Sequence, residues 1–241
     1  MEISCQFFLP LEEDKKVESR YIKNFSSITE EEQYNLGKKK VLVVGAGGLG
    51  GHVLDQLVRL GFKFIRVVDF DIFSETNLNR QLFCNEKTLG LSKVTVAKKY
   101  LKKINPNAKI EIFPWHLGPE NIDYLLSNIE IIFDCTDNME TKLFLEKKAI
   151  ERDIPLIYGS IGGFFGYGAL IYKTPFLKKF YNISKKGIET DVGNLATTVS
   201  MVSSIQVSLA IKVSFEDFSF ANKLFYCDLD SFDFHWIDIK K

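Results

Sequence analysis

Residues 41–44, Val-Leu-Val-Val, run straight into Gly45-Ala46-Gly47-Gly48-Leu49-Gly50. An unbroken apolar run of this length suits a strand buried on both faces. The glycines after it permit a tight turn and bring backbone close to a phosphate at a helix N-terminus. Beyond them Leu49, Val53, Leu57 and Leu60 share one helical face, and Gly61 stops the helix. Residues 64–68 then read as a second strand that ends at Asp69.

The alternation continues. After an irregular polar stretch (72–90), Ser92 can cap a helix that turns Val96, Ala97, Tyr100, Leu101 and Ile104 inward. Lys98, Lys99, Lys102 and Lys103 then face outward. Residues 109–113 form the third expected strand, 119–128 a short helix, 129–133 the fourth strand, 138–152 a helix and 154–158 the fifth strand. Regular strand–helix alternation argues for a doubly wound, mostly parallel sheet with its ligands at the carboxyl ends of the strands. Residues 159–172 carry five glycines and read as a turn and an antiparallel strand. A polar loop over 173–194, a buried apolar helix over 195–213 and a closing hairpin of 224–228 with 232–239 complete the chain. Upstream, residues 1–27 read as a loose arm. Thr29 and Glu32 fit a capping box, and Gly37 ends that helix. With no repeat and no linker, the expected organisation is an arm (1–27) and a single domain (28–241).

Charge and cysteine content narrow the function classes. Lys plus Arg equals Asp plus Glu, 31 each, so nothing favours bulk binding of nucleic acid, and any anion site must be local. Cys5, Cys84, Cys135 and Cys227 include no C-x-x-C pair, which argues against a disulfide framework or a cysteine-built zinc site. The start of the chain resembles no signal peptide, and no unbroken apolar run reaches membrane-spanning length. A soluble cytoplasmic protein is the expectation.

The glycine run, with Gly45, Gly47, Gly48 and Gly50, and the acid Asp69 at the next strand end together read as a nucleotide site. The α/β class expected is therefore Rossmann-like, extended by antiparallel C-terminal strands. A dehydrogenase fits this much equally well. The motifs further along do not fit one: Asp69-Phe70-Asp71, Asn77-Leu78-Asn79-Arg80-Gln81, Gly90-Leu91-Ser92-Lys93 and Asp134-Cys135-Thr136-Asp137-Asn138. Lys93 at the first position of a helix opposes the helix dipole by roughly 0.3–1 kcal/mol, a sign that a bound polyphosphate reverses. Taken singly, Lys93 also reads as an exposed lysine and Arg80 as half of a surface ion pair. Asp137 alone reads as a helix N-cap, with Mg²⁺ ligation the other natural role.

In this order and spacing the motifs resemble the ThiF/MoeB/HesA superfamily, whose adenylation domain ubiquitin-activating enzymes share. The likeness runs from about Arg20 to the C-terminus. It implies an adenylyltransferase that uses ATP and Mg²⁺ to activate the C-terminal carboxylate of a small ubiquitin-like carrier protein with a Gly-Gly tail. It further implies that Gly48, Asp69 and the neighbouring Asp71 belong to the ATP site, and that Asn77, Arg80, Gln81 and Lys93 lie against phosphates or adenosine. Asp137, with Asn138 beside it, would lie near Mg²⁺. Arg80, Lys93 and Asp137 are the expected catalytic groups. A homodimer is expected too, in which Lys23 of Arg20-Tyr21-Ile22-Lys23 reaches the second subunit's site, although the family has arginine there.

The chain departs from many relatives in lacking paired zinc cysteines and in having no cysteine across residues 160–226. Cys84, near the expected phosphate site, is the one cysteine that combines expected exposure with a route to a lowered pKa. His52, His116 and His235 match no motif and read as packing or solvated residues. Three rivals stand beside this reading: an NAD-dependent oxidoreductase, an enzyme that adenylates a small or tRNA-bound carboxylate, and a non-catalytic partner of an active homologue.

Overall fold

The computed structural model describes residues 17–181 and 192–239. Cys5, most of the expected arm and residues 182–191 of the expected loop lie outside the described residues. The apolar runs become β1 (Lys40–Val44), β2 (Phe64–Val68), β3 (Lys109–Phe113), β4 (Ile131–Asp134) and β5 (Leu156–Gly162), all parallel. Antiparallel strands β6 (Phe165–Ile171), β7 (Lys223–Asp228) and β8 (Asp233–Asp238) extend the sheet from β5. The order is β3-β2-β1-β4-β5-β6-β7-β8. The chain walks outward from β1 to β3 and then returns to lay β4 against the other side of β1. That reversal opens a crevice beyond the carboxyl ends of β1 and β4, where doubly wound sheets bind ligands.

Side-chain alternation divides the core. Val41 and Val43 point to one face with Ile65, Val67, Ile131 and Phe133. There they meet helices α2 (Gly48–Leu60), α3 (Lys93–Ile104) and α7 (Ala196–Ser214). Leu42 and Val44 point to the other face, toward α4 (Ile122–Leu125) and α5 (Met139–Glu151). Truncating a central residue such as Leu57 to Ala costs about 2–5 kcal/mol. α7 is long and apolar enough to cross a membrane by length and composition alone. Here it packs on α2, β5 and β6, so it serves as a core helix.

Local signals set most helix ends. In α1 (Glu30–Leu36), Glu32 N donates to Thr29 Oγ1 at 3.2 Å and Thr29 N donates to Glu32 Oε2 at 2.7 Å, closing the capping box. Gly61 ends α2 at φ 102°. β5 runs to Gly162, four residues past its expected end, and the helix expected over 119–128 is limited to Ile122–Leu125. Three further details differ from expectation. Ser92 occupies the N-cap position of α3, but its hydroxyl makes no cap and is buried without a partner among the described residues. The first residues after the undescribed start form a 3-10 helix (Ser19–Asn24), with Tyr21 3% exposed and its hydroxyl accepting from Asn105 Nδ2 at 2.9 Å. Within the expected loop, the short α6 (Leu177–Phe180) is pinned by the buried Glu146, whose Oε1 accepts from Phe176 N at 2.7 Å and Leu177 N at 2.9 Å.

Candidate active site

The crevice beyond β1 and β4 is a pocket whose floor is the glycine loop. Gly45 has φ +93°, and a Cβ there would lie 2.6 Å from the Cys135 carbonyl oxygen. A Cβ on Gly50 would lie 1.8 Å from Gly45 O, so this residue lets the first turn of α2 close onto the loop and does not itself line the pocket. Gly45, Gly47 and Gly48 do line it. Gly47 is the N-cap of α2 and brings no side-chain cap, so the N–H groups of that first turn remain available to an anion.

Asp69 ties the loop to the end of β2. Its Oδ2 accepts from Ala46 N at 2.7 Å, and its Oδ1 accepts from Asp71 N at 2.8 Å. Asp71 in turn holds Lys93: Nζ donates to Asp71 Oδ2 at 2.9 Å and Lys93 N donates to Asp71 O at 3.0 Å. Lys93 is the first residue of α3, as expected, but it is buried and not surface-exposed. Arg80 lines the pocket with Nη1 donating to Thr76 O at 3.0 Å and Asn79 Oδ1 at 2.9 Å; among the described residues no carboxylate pairs with it. Gln81 is buried against the pocket, and its Oε1 has no hydrogen-bond partner among the described residues.

At the end of β4 the two neighbouring polar residues take separate roles. Asn138, and not Asp137, is the N-cap of α5: its Oδ1 accepts from Thr141 N at 3.0 Å. Asp137 is exposed to the pocket with no hydrogen bond or ion pair among the described residues. Thr136 holds this corner by donating from N (3.0 Å) and Oγ1 (2.7 Å) to Asp134 Oδ1. Beneath it, Lys142 Nζ donates to Asp134 Oδ2 at 3.3 Å and to Gly159 O at 2.8 Å, while Gln206 Nε2 donates to Asp134 O at 3.0 Å.

Of the expected site residues, the pocket gathers Gly45, Gly47, Gly48, Asp69, Asp71, Arg80, Gln81, Lys93, Asp137 and Asn138. It leaves out Gly50, Asn77 and Lys23. Asn77 is buried and accepts from Ser74 N at 3.1 Å, so it shapes the turn before Arg80. Lys23 is exposed on the 3-10 helix, away from the pocket of its own chain.

The pocket also includes residues that no motif announced. Phe70 and His116 stack with ring centroids 3.4 Å apart, and Trp115 and Leu117 stand beside them. His116, expected only to pack or to be solvated, is exposed, stacks on Phe70 and belongs to the pocket wall. Asn194 arrives from the far end of the loop before α7, and its carbonyl accepts from Asn79 Nδ2 at 3.0 Å.

The cysteines are quiet. Burial raises the thiol pKa of Cys84, Cys135 and Cys227 above the ordinary 9.0. Cys84 is buried and absent from the pocket wall, which corrects the expectation of an exposed, acidified thiol. His52 is pushed below the ordinary imidazole value, chiefly by burial.

Residues 18–241 match the ThiF family. The chain is 32% identical over 186 residues to the molybdopterin-synthase adenylyltransferase of Haemophilus influenzae, covering 75% of this chain and 76% of that one. It is 42% identical over 118 residues to the adenylyltransferase and sulfurtransferase UBA4 of Candida glabrata, covering 49% of this chain. The matched region spans only 27% of that longer relative. In fold it is similar to E. coli MccB, crystallised with ATP, with a TM-score of 0.79 and 21% identity over 92% of this chain and 72% of that one.

Proposed function

The chain belongs to the ThiF family, and from that premise we propose that it is an adenylyltransferase that uses ATP to activate the C-terminal carboxylate of a small ubiquitin-like sulfur-carrier protein. The observation that carries this reading is the meeting of Arg80, Lys93 and Asp137 with the uncapped N-terminus of α2 in one pocket. Two cations, an amide-rich turn and a free carboxylate suit a triphosphate and its counter-ion.

An α-carboxyl group has a pKa of about 3.3–3.7, so the nucleophile arrives ionised and needs no general base. The carboxylate oxygen bonds to the α-phosphorus, the bond to the bridging oxygen breaks, and pyrophosphate leaves with that electron pair. The obstacle is repulsion between an anion and a polyanion, so catalysis rests on neutralising charge and fixing an in-line approach. Arg80 and Lys93 neutralise the leaving phosphates, and the glycine loop donates backbone N–H groups. Asp69 fixes the loop on which the nucleotide rests. Asp137 is the residue that would hold Mg²⁺, an ion that binds through one or two carboxylates plus substrate phosphates and would supply charge neutralisation. Asp69 spends one bond from each carboxylate oxygen on Ala46 and Asp71, and the cations beyond it have no task in hydride transfer. This disfavours the oxidoreductase alternative.

We propose a homodimer as well. Lys23 lies outside its own pocket, which suits a role at the pocket of a second copy, and the single-domain organisation over 28–241 is part of the same reading. The test is ATP–pyrophosphate exchange with candidate carriers that end in Gly-Gly. Exchange should require Mg²⁺ and the carrier's free C-terminus, and a C-terminally amidated carrier should be silent. Exchange that needs no carrier, or that runs equally with a free small acid, would overturn the assignment.

A further inference from the structure

Lys93 is not waiting in open solvent for a phosphate. Its side chain is 8% exposed and its ammonium is already paired with Asp71, which is 45% exposed. The pairing is built into the backbone. Ile72 and Ser92 form an antiparallel bridge, Phe73 N donates to Leu91 O at 3.0 Å, Gly90 N donates to Phe73 O at 2.8 Å, and Lys93 N donates to Asp71 O at 3.0 Å. The segment after β2 and the segment before α3 therefore form a short ladder. That ladder fixes Asp71 opposite Lys93, while the lysine's four-carbon stem leaves its ammonium free to swing. Both residues line the same pocket as Arg80 and the glycine loop.

We propose that Asp71 is a positioning residue, a resident counter-ion that holds Lys93 in the absence of nucleotide and competes for it with the bound phosphates. This inference rests on the reading of the pocket as a triphosphate site. It reassigns Asp71 from a nucleotide ligand to a group that acts through Lys93. When a polyanion enters, Lys93 exchanges one negative partner for another, so the buried ammonium is never left without one. When pyrophosphate is ready to depart, Asp71 takes the lysine back and weakens the hold on the product. The competition lowers affinity for the polyanion and in return speeds release.

Inorganic pyrophosphate is the right probe, because it carries the phosphates without ribose or base. Its dissociation constant is measured by calorimetry for the wild type, Asp71→Asn, Lys93→Met and the double variant, with the thermal midpoint followed in parallel. Asp71→Asn should lower the midpoint of the ligand-free protein and tighten pyrophosphate about tenfold, so that ligand restores more stability than in the wild type. Lys93→Met should weaken pyrophosphate at least tenfold, and adding Asp71→Asn to it should change nothing further. Asp71→Glu should stay near wild type. In exchange assays Asp71→Asn should lower KM for ATP and kcat together, the mark of slow product release. Weaker pyrophosphate binding in Asp71→Asn, or an equal effect of that change with and without Lys93, overturns the proposal while leaving the nucleotide reading intact. Failure of the wild type to bind either pyrophosphate or ATP overturns both.

Discussion

Two lysine–aspartate pairs flank the pocket, and they differ in what surrounds them. Lys142 and Asp134 sit beneath it with side chains 1% and 0% exposed; Lys142 Nζ also donates to Gly159 O, Thr136 donates to the Asp134 carboxylate, and Gln206 donates to the Asp134 main-chain carbonyl. Lys93 and Asp71 sit in its wall, where the aspartate keeps 45% of its surface. A sealed pair cannot exchange partners, because separating its charges in low dielectric is costly. An open pair can, because water or a ligand takes up either charge as the other moves. The sealed pair therefore holds the corner that carries Asp137, and the open pair supplies charge to the pocket.

The sharpest way to break this contrast is Lys142→Met. It leaves Asp134 buried without its cation, and removing one partner of such a pair costs about 3–5 kcal/mol. Urea unfolding should show that loss. The double variant Lys142→Met/Asp134→Leu should recover much of it, since an apolar pair of similar volume carries no unpaired charge. A small loss in the single variant would mean that water reaches the corner and that the pair is not sealed.

At the open site the cost should move from stability to turnover. Lys93→Ala and Arg80→Ala should each cut pyrophosphate exchange by two orders of magnitude or more, about 2.7–4 kcal/mol of transition-state stabilisation. Their unfolding free energies should stay within about 1 kcal/mol of wild type, because Asp71 can rehydrate and Arg80 has no carboxylate to abandon. Near-normal exchange in both variants would remove them from the catalytic set.

A smaller version of the same division separates two neighbours. Asn138→Ala removes the cap of α5 and should cost about 1 kcal/mol of stability. Asp137→Ala touches no bond among the described residues, so it should leave stability alone and raise the Mg²⁺ concentration needed for exchange. If the two variants trade phenotypes, the roles assigned at this corner are reversed.

How much of the molecule is legible in the sequence depends on the range of the interactions involved. The apolar runs of β1 to β5, the glycine turn and the stop at Gly61 are decided by a few consecutive residues, and they appear within two residues of where periodicity places them, except that β5 runs on to Gly162, four residues past its expected end. The closing hairpin is legible for the same reason. Choices between chemically equivalent neighbours are not. Asp137 and Asn138 both cap helices well, and only the backbone path that brings Thr141 N to Asn138 Oδ1 selects one. Ser92 has the right residue type at the right position, yet packing buries its hydroxyl with no partner among the described residues. The pocket wall of Phe70, His116 and Asn194 comes from three separate connections, so no spacing rule links them. Burial likewise decides the state of Cys84, and burial is a property of the whole fold.

That burial supports the last expectation, which carries the smallest effect: the activation step uses no thiol of this protein. A nucleophilic cysteine needs exposure and a lowered pKa. Cys84, Cys135 and Cys227 are all buried, with thiols pushed upward by that burial. The raised values keep these groups protonated at neutral pH, and thiolate appears only as pH climbs past the ordinary 9.0. The carrier's carboxylate is itself the nucleophile of the first half-reaction, so a thiol has no part until the adenylate exists. Replacing Cys5, Cys84, Cys135 and Cys227 together by Ser should therefore leave carrier-dependent pyrophosphate exchange within about twofold of wild type, after correction for the folded fraction, since mutations of this kind act through stability. Iodoacetamide labelling of the native wild type at neutral pH should be slow at the three buried positions and should accelerate in alkali. A reducible covalent adduct between the carrier and Cys84 would overturn this mechanism, and it would require the segment after Arg80 to open and expose a side chain that the fold holds closed.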